Sequence, residues 1–423
     1  MFRKKRTQGD FPADSAGSPG VRLQRWRALF QRSLSLLARD SFAVPQEGLL
    51  YHCGLTASRR RNLALQMIDH RFLQYRVAAL PHVLHVGVTT LCNLACPACP
   101  TGTEALGRPG QHLDFDVYRR TVDELRNVLM LMLFWDWGEP LMHPRLAEMV
   151  AYAARSGIMT VISTNGTVAN SESQMERLVA ARPSVVIACV DGADQQTYEK
   201  YRVGGRLSKV LETARRLVEI RERLHSPYPV VEFRSLATRD TENQLPELLR
   251  MAEDCASDLF SVKSLRPYDY RGSSVDNELV PLSHELSRYK YGDREQPAPK
   301  RRLDFVRRGP LTCAKPHCSP TLNSDGDLVF CSYATHRLEH FGNVGTRGFL
   351  PVWRSDFARH IRARFAAQGG STSCVTCYFR TEHKPTILHQ VPLRPLPRDI
   401  SVQSPKTREE FLQAVSGARM LLP

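Results

Sequence analysis

The stretch VLHVGVTTLCNLACPACP, residues 83 to 100, runs a nearly continuous apolar segment straight into three cysteines. Its first half has the length and β-branched content of a strand buried on both faces. Cys92, Cys96 and Cys99 follow at intervals of four and three, so the loop leaving that strand carries three soft thiols within eight residues. Thiolate suits an iron–sulfur cluster or zinc, and a closed structural zinc site needs a fourth ligand, for which His112 and His143 are candidates. A cubane held by three cysteines instead keeps one iron open, and an open iron can bind a substrate or cofactor.

Five further apolar runs follow: LMLFWDW (131–137), IMTVIST (158–164), SVVIACV (184–190), VVEFRSL (230–236) and LFSVKSL (259–265). Between them lie stretches of helical period such as DFDVYRRTVDELRNVL, PRLAEMVAYAARS and QLPELLRMAEDCA. Six alternating β/α units imply a parallel sheet covered by helices, either doubly wound or curled into a partial barrel. In both cases the functional rim lies at the C-terminal ends of the strands. The cysteine loop, Gly138-Glu139-Pro140, Ser163 to Thr167 and Asp191 to Gly205 all follow strands and fall on that rim.

The chain has 423 residues, 42% hydrophobic and 8% aromatic, which suffices for sizeable cores in two to three domains. No run approaches the roughly 20 apolar residues of a membrane span, and the N-terminus lacks the apolar core of a signal peptide. The expectation is a cytoplasmic protein, in which thiols stay reduced and clustered cysteines point to metal rather than disulfides. The net charge of +15 resides at the ends: residues 1–80 hold 14 Lys+Arg against 5 Asp+Glu, and 378–423 hold 7 against 4. Only +3 remains for 81–377, which argues against a nucleic-acid-binding core.

Residues 1–20 read as a disordered basic lead-in, and 21–80 as a helical N-terminal extension. Within it, Leu23, Trp26, Leu29, Phe30, Leu34 and Leu37 recur at helical spacing among arginines. Such a helix packs on its own core or, as the alternative, lies on a membrane surface through residues 21–39. Residues 81–265 form the β/α region, 266–310 a linker, 311–380 a cysteine-rich domain, and 381–423 a proline-rich basic tail on the surface.

The CxxxCxxC loop after the first strand, with Gly-Glu-Pro after the second, resembles the radical S-adenosylmethionine (SAM) superfamily over roughly residues 83–265. The resemblance implies a partial (β/α)6 TIM-type barrel and a [4Fe-4S] cluster on Cys92, Cys96 and Cys99, with SAM chelating the open iron. It also implies reductive cleavage of SAM to a 5'-deoxyadenosyl radical that abstracts hydrogen from the substrate, and a reductant such as flavodoxin or ferredoxin. Gly138, Glu139 and Pro140 then face the methionine ammonium, Ser163 and Asn165 the ribose or substrate, and Arg202 the SAM carboxylate. Three departures stand out. Ala98 replaces a common aromatic beside the adenine and leaves that side looser, Trp137 replaces a common glycine, and Cys189 replaces a common serine. Cys189 is read as buried rather than as a cofactor contact.

The run NSDGDLVFC reads as a hairpin turn at Asp-Gly entering a strand that ends on Cys331. With Cys313 before it and Cys374-Val-Thr-Cys377 after, it resembles the auxiliary-cluster domain called SPASM or its shorter form, twitch. That implies a second, auxiliary [4Fe-4S] cluster on Cys313, Cys331, Cys374 and Cys377, with Cys318 surplus; zinc on the same cysteines is the alternative. Four protein ligands close that cluster, which suits electron transfer and net oxidation.

Relatives with this layout oxidise aminocyclitol alcohols, form formylglycine on sulfatases, or cross-link ribosomal peptides. The resulting reading is a radical SAM oxidoreductase acting on a small molecule or peptide. A peptide or protein maturase of the same superfamily and a non-catalytic zinc-binding scaffold are the alternatives. Lys263 and Asp269 are the candidate proton-transfer residues.

Overall fold

The computed structural model describes residues 36, 38–69, 77–168, 171–265, 279–283, 285–287, 290–291, 303–304, 313–332, 339–368 and 386–417. Met1–Asp40 forms one unit, of which only four residues are described, and Ser41–Pro423 forms the other.

All six apolar runs are strands: β3 (Val83–Val86), β4 (Leu131–Phe134), β5 (Met159–Thr164), β6 (Val185–Cys189), β7 (Val230–Ala237) and β8 (Leu259–Ser264), counting after an N-terminal hairpin, β1 (Ser41–Gln46) and β2 (Leu49–Gly54). β3 to β8 pair in chain order, each parallel to the next, with Val83 beside Leu131, Leu131 beside Met159 and Val161 beside Val185. Parallel strands lie between layers and so bury both faces, and every residue of β3 and β4 is buried. Helices return the chain between strands. The first, Phe115–Leu125, starts where the Asp114 side chain accepts from the backbone N–H groups of Asp116 and Val117, and it buries Tyr118, Val122 and Leu125 on one face. Tyr118 donates to the Met149 carbonyl at 2.7 Å across to the next helix, Leu146–Arg155, so its hydroxyl is satisfied inside the core. The architecture is the α/β barrel type expected, with the β/α units in one sheet.

After a separate antiparallel pair, β9 (Lys290–Tyr291) and β10 (Leu303–Asp304), the chain returns to the sheet, which does not end at its six parallel strands. β11 (Thr321–Leu322) adds parallel to β3, and β12 (Asp327–Val329) and β13 (His340–Asn343) continue antiparallel beyond it. The turn between β11 and β12 places Gly326 at φ +82°, a conformation glycine adopts without penalty. On the opposite edge β14 (Ile387–Pro392) pairs antiparallel with β8, giving ten strands. The C-terminal part is held to the barrel by specific capping: Glu124 accepts from the N–H groups of Phe349 and Leu350 at the start of helix Phe349–Trp353, and Trp353 donates to the Ala79 carbonyl.

Two sequence expectations change here. Residues 41–54, expected to be helical, form the β1–β2 hairpin, because Glu47 (φ +50°) and Gly48 (φ +82°) make a tight two-residue turn. The tail, expected on the surface, supplies β14, β15 (Ile400–Val402) on β2, and helix Arg408–Gly417, whose buried Phe411 meets Phe260 at 5.4 Å between ring centroids. The amphipathic segment 21–35 lies outside the described residues, as do Asp269, Cys374 and Cys377. Among the described residues no helix is long and apolar enough to cross a membrane.

Candidate functional site

The loop after β3 is clamped onto the ends of the next strands. Gly138 is the point of closest approach: a Cβ there would lie 2.1 Å from the Thr89 carbonyl oxygen, so only glycine fits. Glu139 N–H then donates to the Leu91 carbonyl at 2.8 Å, one residue before Cys92. Beyond Cys92, Asn165 Nδ2 donates to Asn93 Oδ1 at 3.0 Å and lies 3.8 Å from Cys92 Sγ, while Ala95 N–H donates to the Val203 carbonyl. The loop is thereby fixed from both flanks.

Cys92, Cys96 and Cys99 line a cavity of about 250 Å³. Across it stand Gly138, Glu139, Ser163, Thr164, Asn165, Cys189 and Arg202, so the structure brings together the cofactor-site candidates named from sequence except Pro140, which is buried at the start of the turn behind Glu139. Burial pushes the Cys96 thiol up to about 11, against the pull of Arg202, so metal binding there must release a proton. His143 cannot complete a zinc site: one ring nitrogen faces the Leu113 carbonyl at 3.1 Å and the other accepts from Arg145 N–H. His112 stacks edge-on against it, outside the cavity lining. Among the described residues no three His, Cys, Asp or Glu side chains gather on one ion. Three separate thiols, with no fourth donor gathered beside them among the described residues, fit a cluster that keeps one iron open.

Glu139 is buried, and its carboxylate is largely committed. Oε1 accepts from Thr164 Oγ1 at 2.6 Å and Leu141 N–H at 3.0 Å, and Oε2 accepts from Asn165 N–H at 2.7 Å. A carboxylate offers about four acceptor positions, so one remains, on Oε2. Burial lifts its pKa above the usual value while those hydrogen bonds pull it back. Arg202 is gripped by Asp191, Nε to Oδ2 at 2.6 Å, and Asp191 is itself fixed by Leu236 N–H on its other oxygen. Burial works against the Arg202 charge, but Asp191 together with Cys96, Cys189 and Tyr201 more than reverses it and keeps the guanidinium protonated.

The three departures resolve in different ways. Ala98 packs in an apolar cluster with Tyr201, Leu236 and Leu265, so Tyr201 brings an aromatic ring to the wall that residue 98 leaves small. Trp137 does not obstruct the glycine turn, because its indole N–H points away to the Ser332 carbonyl at 2.9 Å. Cys189 is not buried: it lines the cavity with its sulfur 3.4 Å from Ser163 Oγ.

Sequence reasoning missed the residues that tertiary pairing delivers. Glu47, at the β1–β2 turn, reaches Lys263 Nζ at 2.8 Å and Arg234 at 3.0 Å, and Arg234 also binds Glu232 at 2.8 Å. Burial opposes ionisation of Glu47, yet the two cations hold its carboxyl down at about 2. Lys263, a proton-transfer candidate from its strand position, lines the cavity and is an ion-pair partner of Glu47. A Gln-Glu-Gly turn between two apolar runs was the available signal for the hairpin, though not for its target.

A second cavity, of about 750 Å³, adjoins the first and extends past Glu47, His85 and Lys315 to Cys313 and Cys318. Cys318 donates to the Ala314 carbonyl at 3.2 Å from its own short helix, and burial raises its thiol to about 11. Cys331 is buried beyond β12, against the main core.

A fold of six parallel β/α units with a three-thiol loop on its rim defines the class of enzymes that bind SAM at an iron–sulfur cluster. The chain belongs to the radical SAM superfamily, whose sequence profile matches residues 86–251, and carries a C-terminal SPASM iron–sulfur cluster-binding domain, matched over residues 313–378. Its cofactors are a [4Fe-4S] cluster with SAM and auxiliary iron–sulfur. It is 24% identical to the tungsten-containing aldehyde ferredoxin oxidoreductase cofactor-modifying protein of Pyrococcus furiosus, over 70% of this chain and 87% of that protein. It is 26% identical to mycofactocin maturase MftC of Mycobacterium ulcerans, over 68% and 78%, and 27% identical to PqqA peptide cyclase of Bradyrhizobium diazoefficiens, over 54% and 58%. The solved structure of Streptococcus suis SuiB bound to precursor peptide SuiA shares the fold at TM-score 0.51, with 14% identity over 85% of this chain and 82% of SuiB.

Proposed function

We propose that this radical SAM enzyme modifies a peptide, drawing the reacting residue through the larger cavity to the cysteine loop. The observation that carries this reading is the continuity of the two cavities, which share Trp135, Asp136, Trp137, Lys263 and Thr386. A volume of about 750 Å³ suits a short peptide segment better than a very small metabolite. Peptide cyclase and maturase relatives, and the peptide-bound SuiB fold, support the same substrate class.

In this proposal Cys92, Cys96 and Cys99 hold the first cluster, and Cys313 and Cys331, with Cys374 and Cys377, the auxiliary one. Bound there, the first cluster and SAM supply one-electron cleavage to a 5'-deoxyadenosyl radical that takes a hydrogen atom from the substrate. Glu139 Oε2 accepts from the methionine ammonium, and Arg202, held by Asp191, pairs with the methionine carboxylate. Tyr201, Leu236 and Leu265 form the apolar wall for the adenine, and Ser163 and Cys189 the polar edge beside it. Asn165 acts on the cysteine loop itself, since its side chain is spent on Asn93, Thr167 and the Cys92 sulfur. The auxiliary site, with four thiols, is proposed to carry electrons in a net oxidation.

Anaerobic reconstitution with iron and sulfide, followed by dithionite and SAM, should release 5'-deoxyadenosine. A pool of synthetic hexapeptides should then contain members that lose two hydrogens. Zinc in both cysteine sites with no SAM cleavage would overturn the enzyme chemistry. SAM cleavage with no altered peptide would overturn the substrate class.

A further inference from the structure

Of the five residues shared by the two cavities, Lys263 and Asp136 carry ionisable side chains, and Lys263 is ion-paired with Glu47. Asp136 has no ion-pair partner among the described residues. It follows β4 between Trp135 and Trp137, its Cβ is packed against Gly87, where an added methyl would come within 3.1 Å, and its Oδ1 is sealed from solvent with no hydrogen-bond partner among the described residues. Oδ2 is then the atom that can meet a bound molecule. A carboxyl with one oxygen sealed and unpaired, at the passage between the cysteine loop and the larger cavity, has no evident structural task.

We propose that Asp136 is a further catalytic residue, whose carboxyl takes the proton from the substrate heteroatom next to the carbon that loses hydrogen. In this step the heteroatom–hydrogen bond breaks, its electron pair stays on the substrate, and the proton forms a bond to Oδ2. The inference rests on the reading that the substrate occupies the larger cavity. The electrostatics support it. Burial pushes the Asp136 carboxyl up to about 8, with Asp325 adding to the rise and Arg108 and Lys315 opposing it. A base of that strength is far better matched to neutral operation than an ordinary carboxylate.

The test uses the reconstituted holoenzyme and the hexapeptide pool. Product formation by the wild type should rise with pH through about 8. Asp136→Asn should lower kcat by about 100-fold or more with little change in KM, and lose that limb of the profile. Asp136→Glu should recover part of the rate, and unchanged iron content in both variants shows that they fold. Wild-type product rates in Asp136→Asn would overturn the proposal. Infrared titration provides an arm independent of substrate: a protonated carboxyl band that disappears near pH 8 and is missing from Asp136→Asn supports the assignment, and its absence from the wild type overturns it. If no hexapeptide is modified, the peptide reading falls and the infrared titration alone decides Asp136.

Discussion

The two cysteine groups are assembled in opposite ways. The first is a single loop whose three thiols are already neighbours in the chain, and the fold only clamps it through Gly138, Glu139, Asn165 and Val203. The second is gathered from distant pieces: Cys313 precedes a short helix that ends on Cys318, and Cys331 follows β12. A local motif survives in sequence because its geometry is set by the turn itself. A dispersed one exists only once the sheet has been extended past β3, and its integrity is tied to that extension.

Substitution at each site should break the comparison most visibly. Cys96→Ala should reduce 5'-deoxyadenosine formation to background, whereas Cys331→Ala should lose the auxiliary iron while SAM cleavage continues and peptide product stops. Equal loss of SAM cleavage in both variants would show that the two sites are one functional unit.

Gly138→Ala comes next, because its methyl cannot fit 2.1 Å from the Thr89 carbonyl. Overpacking of this kind costs about 1–3 kcal/mol or more, and it should empty the first site while the auxiliary iron remains. Iron and sulfide analysis checks this. Glu139→Gln should keep both iron loads and raise the KM for SAM by about 10- to 100-fold, the value of one charged hydrogen bond.

Removing the Glu47 ion pairs should show in fold stability rather than in either iron load. Glu47 has its carboxyl lowered from 4.5 to about 2, so its ion pairs stabilise the fold fully above the unfolded value. That stability, about 3 kcal/mol, is lost as pH falls through 4 toward 2. Glu47→Gln should therefore be less stable than wild type at neutral pH and converge with it in acid, as read from denaturant midpoints.

The barrel was legible because buried parallel strands are written as continuous apolar runs, and all six were found. The rim motifs were legible because each follows a strand directly. The β1–β2 hairpin was hidden by the basic helical pattern preceding it, which was carried too far along the chain. β14 was hidden by prolines: Pro385, Pro392, Pro395 and Pro397 mark a surface segment, but Ile387 to Val391 between them suit an edge strand, where a terminal proline is tolerated. Glu47, Arg234 and Asp136 could not be foreseen as neighbours of the site. Their placement depends on register between strands far apart in sequence, and a charged residue in an apolar run carries no mark of which partner it will meet. Cys189 was misjudged for a similar reason, since one residue of register at a strand end separates core from cavity.

The added strands at the two edges of the parallel sheet also govern how the protein is made. The six-stranded core is complete in the chain by Ser264, but the covers for β3 and β8 begin only at Thr321 and Ile387. Until then a nascent chain carries two open edges with unpaired backbone groups, the surfaces on which chains pair with one another. A chain stopped at residue 382 should therefore aggregate as it folds even though every residue of the SAM loop is present, and the yield of the enzyme hinges on the segment that supplies β14.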